Sequence, residues 1–258
     1  MTVIGLASEQ PDPSPDSSEA SPFGLSRVDV PDAPEVLAGL LRSKILSGEL
    51  AEGTPLPAER VLVEQTQLSR STVREALRIL QLQGLVSRRP GRGGGSVVAR
   101  PSADDVISWL DVYLQGRRLD AAVLLEAREI IEPWCAALAA ERRTDEHLAG
   151  LDALNRRMWD VIEDLPAYLE TNVAWHTAIA EASQNELLAS LMHALSRAVL
   201  RQTGGEHFNT DDTRASAIRT HERVTDAIRD WDPEAARRRM TRHVHTFAQA
   251  VLAAGSPD

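Results

Sequence analysis

The chain has 258 residues, 43% of them hydrophobic, a formal net charge of -10 and one cysteine, Cys135. That length supports one large or two ordinary packed domains, and a lone cysteine excludes an internal disulfide and suits a reducing cytoplasm. No stretch approaches a membrane span and no cationic, apolar leader opens the sequence, so a soluble, unexported protein is expected.

The acidity is unevenly spread. Residues 1–30 carry one basic against five acidic side chains, residues 31–100 carry ten against seven, and residues 101–258 carry 17 against 26. A net positive balance is thus confined to one segment, the pattern expected where that segment meets phosphates and the acidic remainder stays clear of them.

Residues 1–30 are rich in Pro, Ser and Asp without apolar periodicity and read as a disordered acidic tail. From Pro34, the spacing of Leu37, Leu40, Leu41 and Ile45 predicts a helix ending near Ser47-Gly48. A second helix begins at Pro57, with Val61 and Leu62 facing inward, and a short turn leads to Ser69, a good N-cap for a third. In that third helix Val73, Ala76, Leu77 and Leu80 form the buried stripe while Arg70, Arg74 and Arg78 recur every four residues elsewhere. A helix that shows guanidinium groups from its first turn fits a DNA major groove, where arginine pairs bidentately with guanine. Pairing with Glu75 one turn earlier is the favoured reading for Arg78. Leu85–Arg88 and Ser96–Ala99 read as strands around Arg89-Pro90-Gly91-Arg92-Gly93-Gly94-Gly95, a basic, glycine-tipped wing. A phosphate-cradling nucleotide loop is the poorer reading, because the glycines follow a helix and lead into a strand and lack the terminal Lys-Ser/Thr.

The stretch from Gly48 to Val98, through LSRSTVREALRILQLQGLV, resembles the winged helix-turn-helix of GntR-type bacterial transcription regulators. The resemblance implies that Arg60, Arg70 and Arg74 reach bases or adjacent phosphates, that Ser69, Ser71 and Thr72 hold phosphates, and that Gly91 and Arg92 sit at the wing tip. Gln67 stands where the family usually has glycine in the turn.

After Arg100, Ala, Leu, Arg and Glu dominate, and helices are expected near 103–115, 119–142, 145–163, 166–182, 185–203, 212–229 and 233–253. Gly116, Thr144, Pro166, Gln184-Asn185 and Gly204-Gly205 separate them, and Asp232-Pro233 caps the last. The fold class expected is mainly α: an N-terminal winged helix-turn-helix over 31–100 and an antiparallel bundle of about seven helices over 101–258.

Three histidines lie amid apolar helix positions: His176 in NVAWH, His221 in THERVTDAI and His243 in AARRRMTRH. Asn172 shares a face with His176, one turn earlier. Imidazoles from separate helices converge only in a bundle interior, where they suit a zinc-like ion; a lone helical histidine is more often a core or surface residue, the reading given to His147, His193, His207 and His245. Residues 105–250, with LLEAREIIEP, NVAWH, SQNELL, His221 and AARRRMTRH, resemble the all-helical effector domain of the FadR subfamily in its metal-binding branch. That resemblance implies a divalent ion (zinc, nickel or manganese) on Asn172, His176, His221 and His243, with Asn172 standing where the family pattern has Asp. It places Arg128 beside the pocket to clamp a small carboxylate effector, with an ion pair to Glu132 or Glu126 as the open alternative.

The expected function is a ligand-responsive regulator, a repressor by the family's usual behaviour, that binds an inverted-repeat DNA operator as a homodimer. A metal-dependent hydrolase and a metal-free regulator responding to an acyl-CoA are the alternatives. Against the hydrolase stand the lack of HExxH, of a His-Asp pair and of a carboxylate placed as general base.

Overall fold

The computed structural model describes residues 32–90, 95–205 and 209–254. The acidic tail, Gly91 and Arg92 at the wing tip, and His207 lie outside the described residues. The N-terminal part runs α1 (Ala33–Leu46), α2 (Glu59–Thr66), α3 (Arg70–Leu82), β1 (Val86–Arg89) and β2 (Gly95–Val98). Its core is small and well filled: Leu37, Ala38, Leu41 and Ile45 of α1 meet Leu62 of α2 and Val73, Ala76, Leu77 and Leu80 of α3. The periodic stripe of α3 is buried as its spacing predicts. Leu40 of α1 is not; it is 61% exposed and Ala38 takes its place against the core, because the inward face of this helix is rotated by about 40° from the one a Leu-only pattern suggests. In α2 it is Val63, with Leu62, that packs against this core, and the helix starts at Glu59 with Ala58 as N-cap, two residues after Pro57.

The third helix is held at both ends. Ser69 Oγ accepts from the Thr72 amide at 3.1 Å. At its C-terminus Gly84 turns with φ +71°, and its amide and that of Leu85 donate to the carbonyls of Gln81 and Leu80, a Schellman ending that satisfies orphan carbonyls. The chain then enters β1, which pairs antiparallel with β2 in the register Val86↔Val98 to Arg89↔Gly95.

The C-terminal part is α4 (Ala103–Arg117), α5 (Ala121–Arg142), α6 (Asp145–Asp160), α7 (Leu165–Ala182), α8 (Glu186–Thr203), α9 (Asp211–Arg229) and α10 (Pro233–Ala254). Side-chain caps on Ser102, Thr144, Asp164, Asn185 and Thr210 start five of these helices, and Asp232 Oδ1 accepts from Ala235 N to start α10. Gly116 does not break the chain as expected: α4 runs through it, and Arg118, in the left-handed region, ends the helix. Helix α5 is central, packing against α7, α8, α9 and α10. Its small residues Ala136, Ala139 and Ala140 are fully buried, so neighbouring helices approach closely around one core containing Met158, Trp175, Ile179, Met192, Ile218, Ile228 and Met240. Among the described residues, no helix is long and apolar enough to cross a membrane.

Candidate metal centre and nucleic-acid interface

His176 on α7, His221 on α9 and His243 on α10 meet inside the bundle, with one ligating nitrogen of each within 4.8 Å of the others. His221 Nε2 lies 3.1 Å from His243 Nε2, and His243 Nε2 lies 3.5 Å from His176 Nε2. Metal–nitrogen bonds of about 2.0–2.1 Å separate neighbouring ligand atoms by about 3.0 to 3.4 Å, so this spacing fits one ion. Hydrogen bonds assign the tautomers that such an ion needs. His176 Nδ1 is 2.7 Å from Glu132 Oε2 and donates to it, while its Nε2 accepts from Arg128 Nη2 at 3.1 Å; His221 Nδ1 is 3.4 Å from Met158 Sδ and donates there, which turns its Nε2 lone pair to the centre. Trp175 stacks on His221 at 3.9 Å and fixes that ring's plane.

The electrostatics keep the rings neutral. Burial, then the neighbouring imidazoles and the Arg128 guanidinium, hold His221 well below the usual imidazole range. Burial, His176 and Arg128 push His243 down to about 3, against a weaker upward pull from Glu132. His176 is lowered by burial, although Glu132 draws it back. For Glu132 itself burial works upward, but Arg128 and His176 outweigh it and hold the carboxyl far below its ordinary range. The centre is therefore a set of neutral nitrogen donors backed by an ionised carboxylate.

Arg128 takes up the ion pair that the sequence offered as one of its two roles. It forms a buried ion pair with Glu132, and its Nη2 lies 3.1 Å from His176 Nε2. It also lines a cavity of about 70 Å³ together with Asn172, His176 and His243. Asn172 is half-buried on the cavity wall, one turn from His176. Glu132, which the sequence offered only as a partner for Arg128, is the residue that orients His176; its signal was its position four residues after Arg128 in an apolar helix. Tyr168, Ser196 and Arg214 also line the cavity, and nothing in their sequence spacing marked them. The other described histidines have local partners: His147 completes the Thr144 capping box, His193 pairs with Glu181 and His245 with Glu129. Cys135 is buried beside Glu132, and burial first and that carboxylate second push its thiol up to about 12.

At the other end of the chain, the first turn of α3 clusters hydroxyls. Ser69 Oγ is 2.7 Å from Ser71 Oγ and 2.8 Å from Thr72 Oγ1, at a helix N-terminus whose amides favour an anion. Arg70 is exposed and makes no ion pair among the described residues. Arg74 and Arg88 both reach Glu59, at 3.1 and 3.4 Å, so one carboxylate at the start of α2 ties α3 to the wing. Arg60 pairs with Glu64 at 2.5 Å and Arg78 with Glu75 at 3.7 Å.

Residues 35–95 match the family of bacterial regulatory proteins, gntR family, and residues 123–246 match the FCD domain. The HTH-type transcriptional regulator LutR of Bacillus subtilis (strain 168) is 32% identical over 212 residues, which cover 81% of this chain and 95% of LutR. The chain belongs to the GntR family. The galactonate operon transcriptional repressor of Escherichia coli (strain K12) is also 32% identical, over 76% of this chain and 86% of its own. Among solved structures, Streptococcus agalactiae GntR superposes with a TM-score of 0.57 at 26% identity, covering 84% of this chain and 99% of that one. A GntR chain with an FCD domain is a DNA-binding transcription regulator and not an enzyme, so the hydrolase alternative falls with the family assignment.

Proposed function

We propose that this GntR protein is a FadR-subfamily repressor that binds an inverted-repeat operator as a homodimer and releases it when a small organic or sugar acid enters the bundle. The observation that carries this reading is the convergence of three neutral imidazoles and a buried guanidinium on one cavity. His176, His221 and His243 would hold a divalent ion with Asn172 beside it; bound there, the ion supplies a Lewis-acid site for a carboxylate oxygen. Nitrogen donors favour zinc or nickel over manganese, and the neutral amide of Asn172 adds less affinity than a carboxylate would. Arg128 contributes the second hold on the carboxylate. A cavity of about 70 Å³ suits a small acid and not an acyl-CoA. The similarity to a galactonate operon repressor agrees with a sugar acid.

In the reading head, Arg70 and Arg74 face bases or phosphates, Ser69, Ser71 and Thr72 hold phosphates, and Arg60 supports them from α2; Gly91 and Arg92, outside the described residues, complete the set of DNA-contacting residues. Trp109, Val112 and Tyr113 form an exposed apolar stripe on α4, the kind of surface a second copy covers. Ligand acts only through different affinity for two arrangements. A physical route exists: α8 lines the cavity and packs on α4, and the start of α4 abuts Gly84 at the end of α3, where a Cβ would lie 3.2 Å from Asp105 Oδ2 and Pro101 Cα.

The test is operator binding by fluorescence anisotropy at fixed salt. Arg70→Ala should weaken specific binding by roughly 1 to 3 kcal/mol, and zinc with the cognate acid should release the wild-type protein while raising its melting temperature. Unchanged operator affinity in Arg70→Ala would refute the assignment of the reading helix; release that survives His221→Ala would refute the metal-linked sensor.

A further inference from the structure

The cavity has a second end. Side chains of α7 and α9 meet at two levels, with His221 against Trp175 and His176 at one and the Arg214 guanidinium 5.9 Å from the Tyr168 ring centre at the other. Tyr168 precedes His176 by eight residues and Arg214 precedes His221 by seven, about two helical turns, a rise of about 10 to 12 Å. The cavity spans both levels. Ser196 on α8 also lines the cavity, one turn from Leu200, which adjoins Leu169 near Gly204.

This far end is polar in an unusual way. Arg214 is buried, 7% exposed, and two of its nitrogens are satisfied: Nη1 donates to the Asn209 carbonyl at 2.5 Å and Nη2 pairs with Asp211. Its Nε has no partner among the described residues, and neither does Ser196 Oγ, on a side chain 5% exposed. Buried polar atoms without partners are uncommon in folded proteins and mark places where something else makes the bond. Both belong to residues that line one cavity.

We infer that Ser196 and Arg214 form a distal subsite that selects a hydroxylated acid of about four to six carbons, the length that spans ~10 Å at about 1.2 Å per bond once bonded at both ends. This deepens the proposed sensor and rests on it: the carboxylate lies at the imidazole and Arg128 end, and hydroxyls along the chain reach Ser196 Oγ and then Arg214 Nε. The charge of Arg214 is already met by Asp211, so what remains is a single N–H donor, and a neutral hydroxyl satisfies it without bringing a second buried charge. Ser196 both donates and accepts, which a hydroxyl on the ligand matches and a methylene does not.

Calorimetry on the full-length, zinc-loaded protein separates the outcomes, with six-carbon aldonates of differing stereochemistry, hexanoate, adipate and glycolate as probes. An aldonate should bind more tightly than hexanoate or adipate. Ser196→Ala and Arg214→Lys should each weaken that aldonate about tenfold, the effect of one lost hydrogen bond to a charged or buried partner. Both should leave glycolate, which is too short to reach them, within about twofold. Ser196→Ala without ligand should melt at or above the wild-type temperature, since it removes an unpartnered hydroxyl, so its loss of affinity is not a folding defect. Tighter binding of adipate or hexanoate, or an equal loss for glycolate and the aldonate, overturns the subsite while leaving the sensor intact. Failure of every acid, glycolate included, overturns the sensor and the subsite together.

Discussion

Replacing Glu132 with leucine removes the carboxylate that faces both Arg128 and His176. The guanidinium of Arg128, 6% exposed, is then left in the bundle without a counter-charge, a loss of about 3 to 5 kcal/mol for one broken member of a buried pair. At about 2 to 4 °C per kcal/mol for a chain of this size, Glu132→Leu should melt roughly 6 to 20 °C below wild type. Arg128→Met strands the Glu132 carboxylate instead and should cost a similar amount. The double variant Glu132→Leu, Arg128→Met puts apolar groups of comparable volume in both places and should recover at least ~2 kcal/mol relative to the sum of the single losses. Scanning calorimetry of the four proteins in chelator measures that coupling. Zinc titration measures a second consequence: without the acceptor at Nδ1, His176 is free to take the wrong tautomer, and affinity should fall about 10- to 100-fold in Glu132→Leu. Additive single losses, or a Glu132→Leu protein that melts within about 2 °C of wild type, would show that the carboxylate does not hold this centre together.

Gln67 sits in the left-handed region at φ 56°, where a side chain costs about 1 to 2 kcal/mol; Gln67→Gly loses the bond from Nε2 to the Glu64 carbonyl at 2.7 Å and should still gain roughly 0.5 kcal/mol in urea melts. A lower midpoint would refute the strain. Gly84→Ala should do the opposite, because φ is +71° and the new Cβ meets Pro101 and Asp105 at 3.2 Å; a loss of about 1 to 2 kcal/mol is expected, with weaker coupling of ligand to operator release, and wild-type behaviour in both assays would remove this joint from the route. In chelator, stability should decline as pH falls below the ordinary imidazole pKa of 6.5. The unfolded chain takes up protons there, whereas His221 and His176 do so only at lower pH and His243 only near 3. Each ring that stays neutral then costs about 1 kcal/mol per pH unit, and a flat melting temperature from pH 7 to 5 would contradict the burial of these rings.

Helix positions were legible because local chemistry decides them: the cap at Ser69, the cap and proline at Asp232-Pro233, and the unbroken period of Val73, Ala76, Leu77 and Leu80 act within one or two turns. The misplacements have identifiable causes. Gly116 costs a helix little when the flanking residues favour it, and α4 ends instead where Arg118 turns left-handed; Leu40 is exposed because a period of 3.6 over four turns leaves two candidate faces, and packing against α3 chooses between them. The histidines were legible as a set only by resemblance to a known family, since residues 45 and 22 apart in the chain carry no mutual signal. What escaped the sequence was the support around them. Glu132 reads as an ordinary i, i+4 partner for Arg128 until α7 brings His176 to its other oxygen. Arg214 reads as a surface arginine next to Asp211, yet its guanidinium is buried near the Tyr168 ring and the Asn209 carbonyl. The residues that bind a ligand were therefore easier to name than the residues that set their tautomers, charges and reach, because the first are marked by type and spacing and the second by which helix lies next to which.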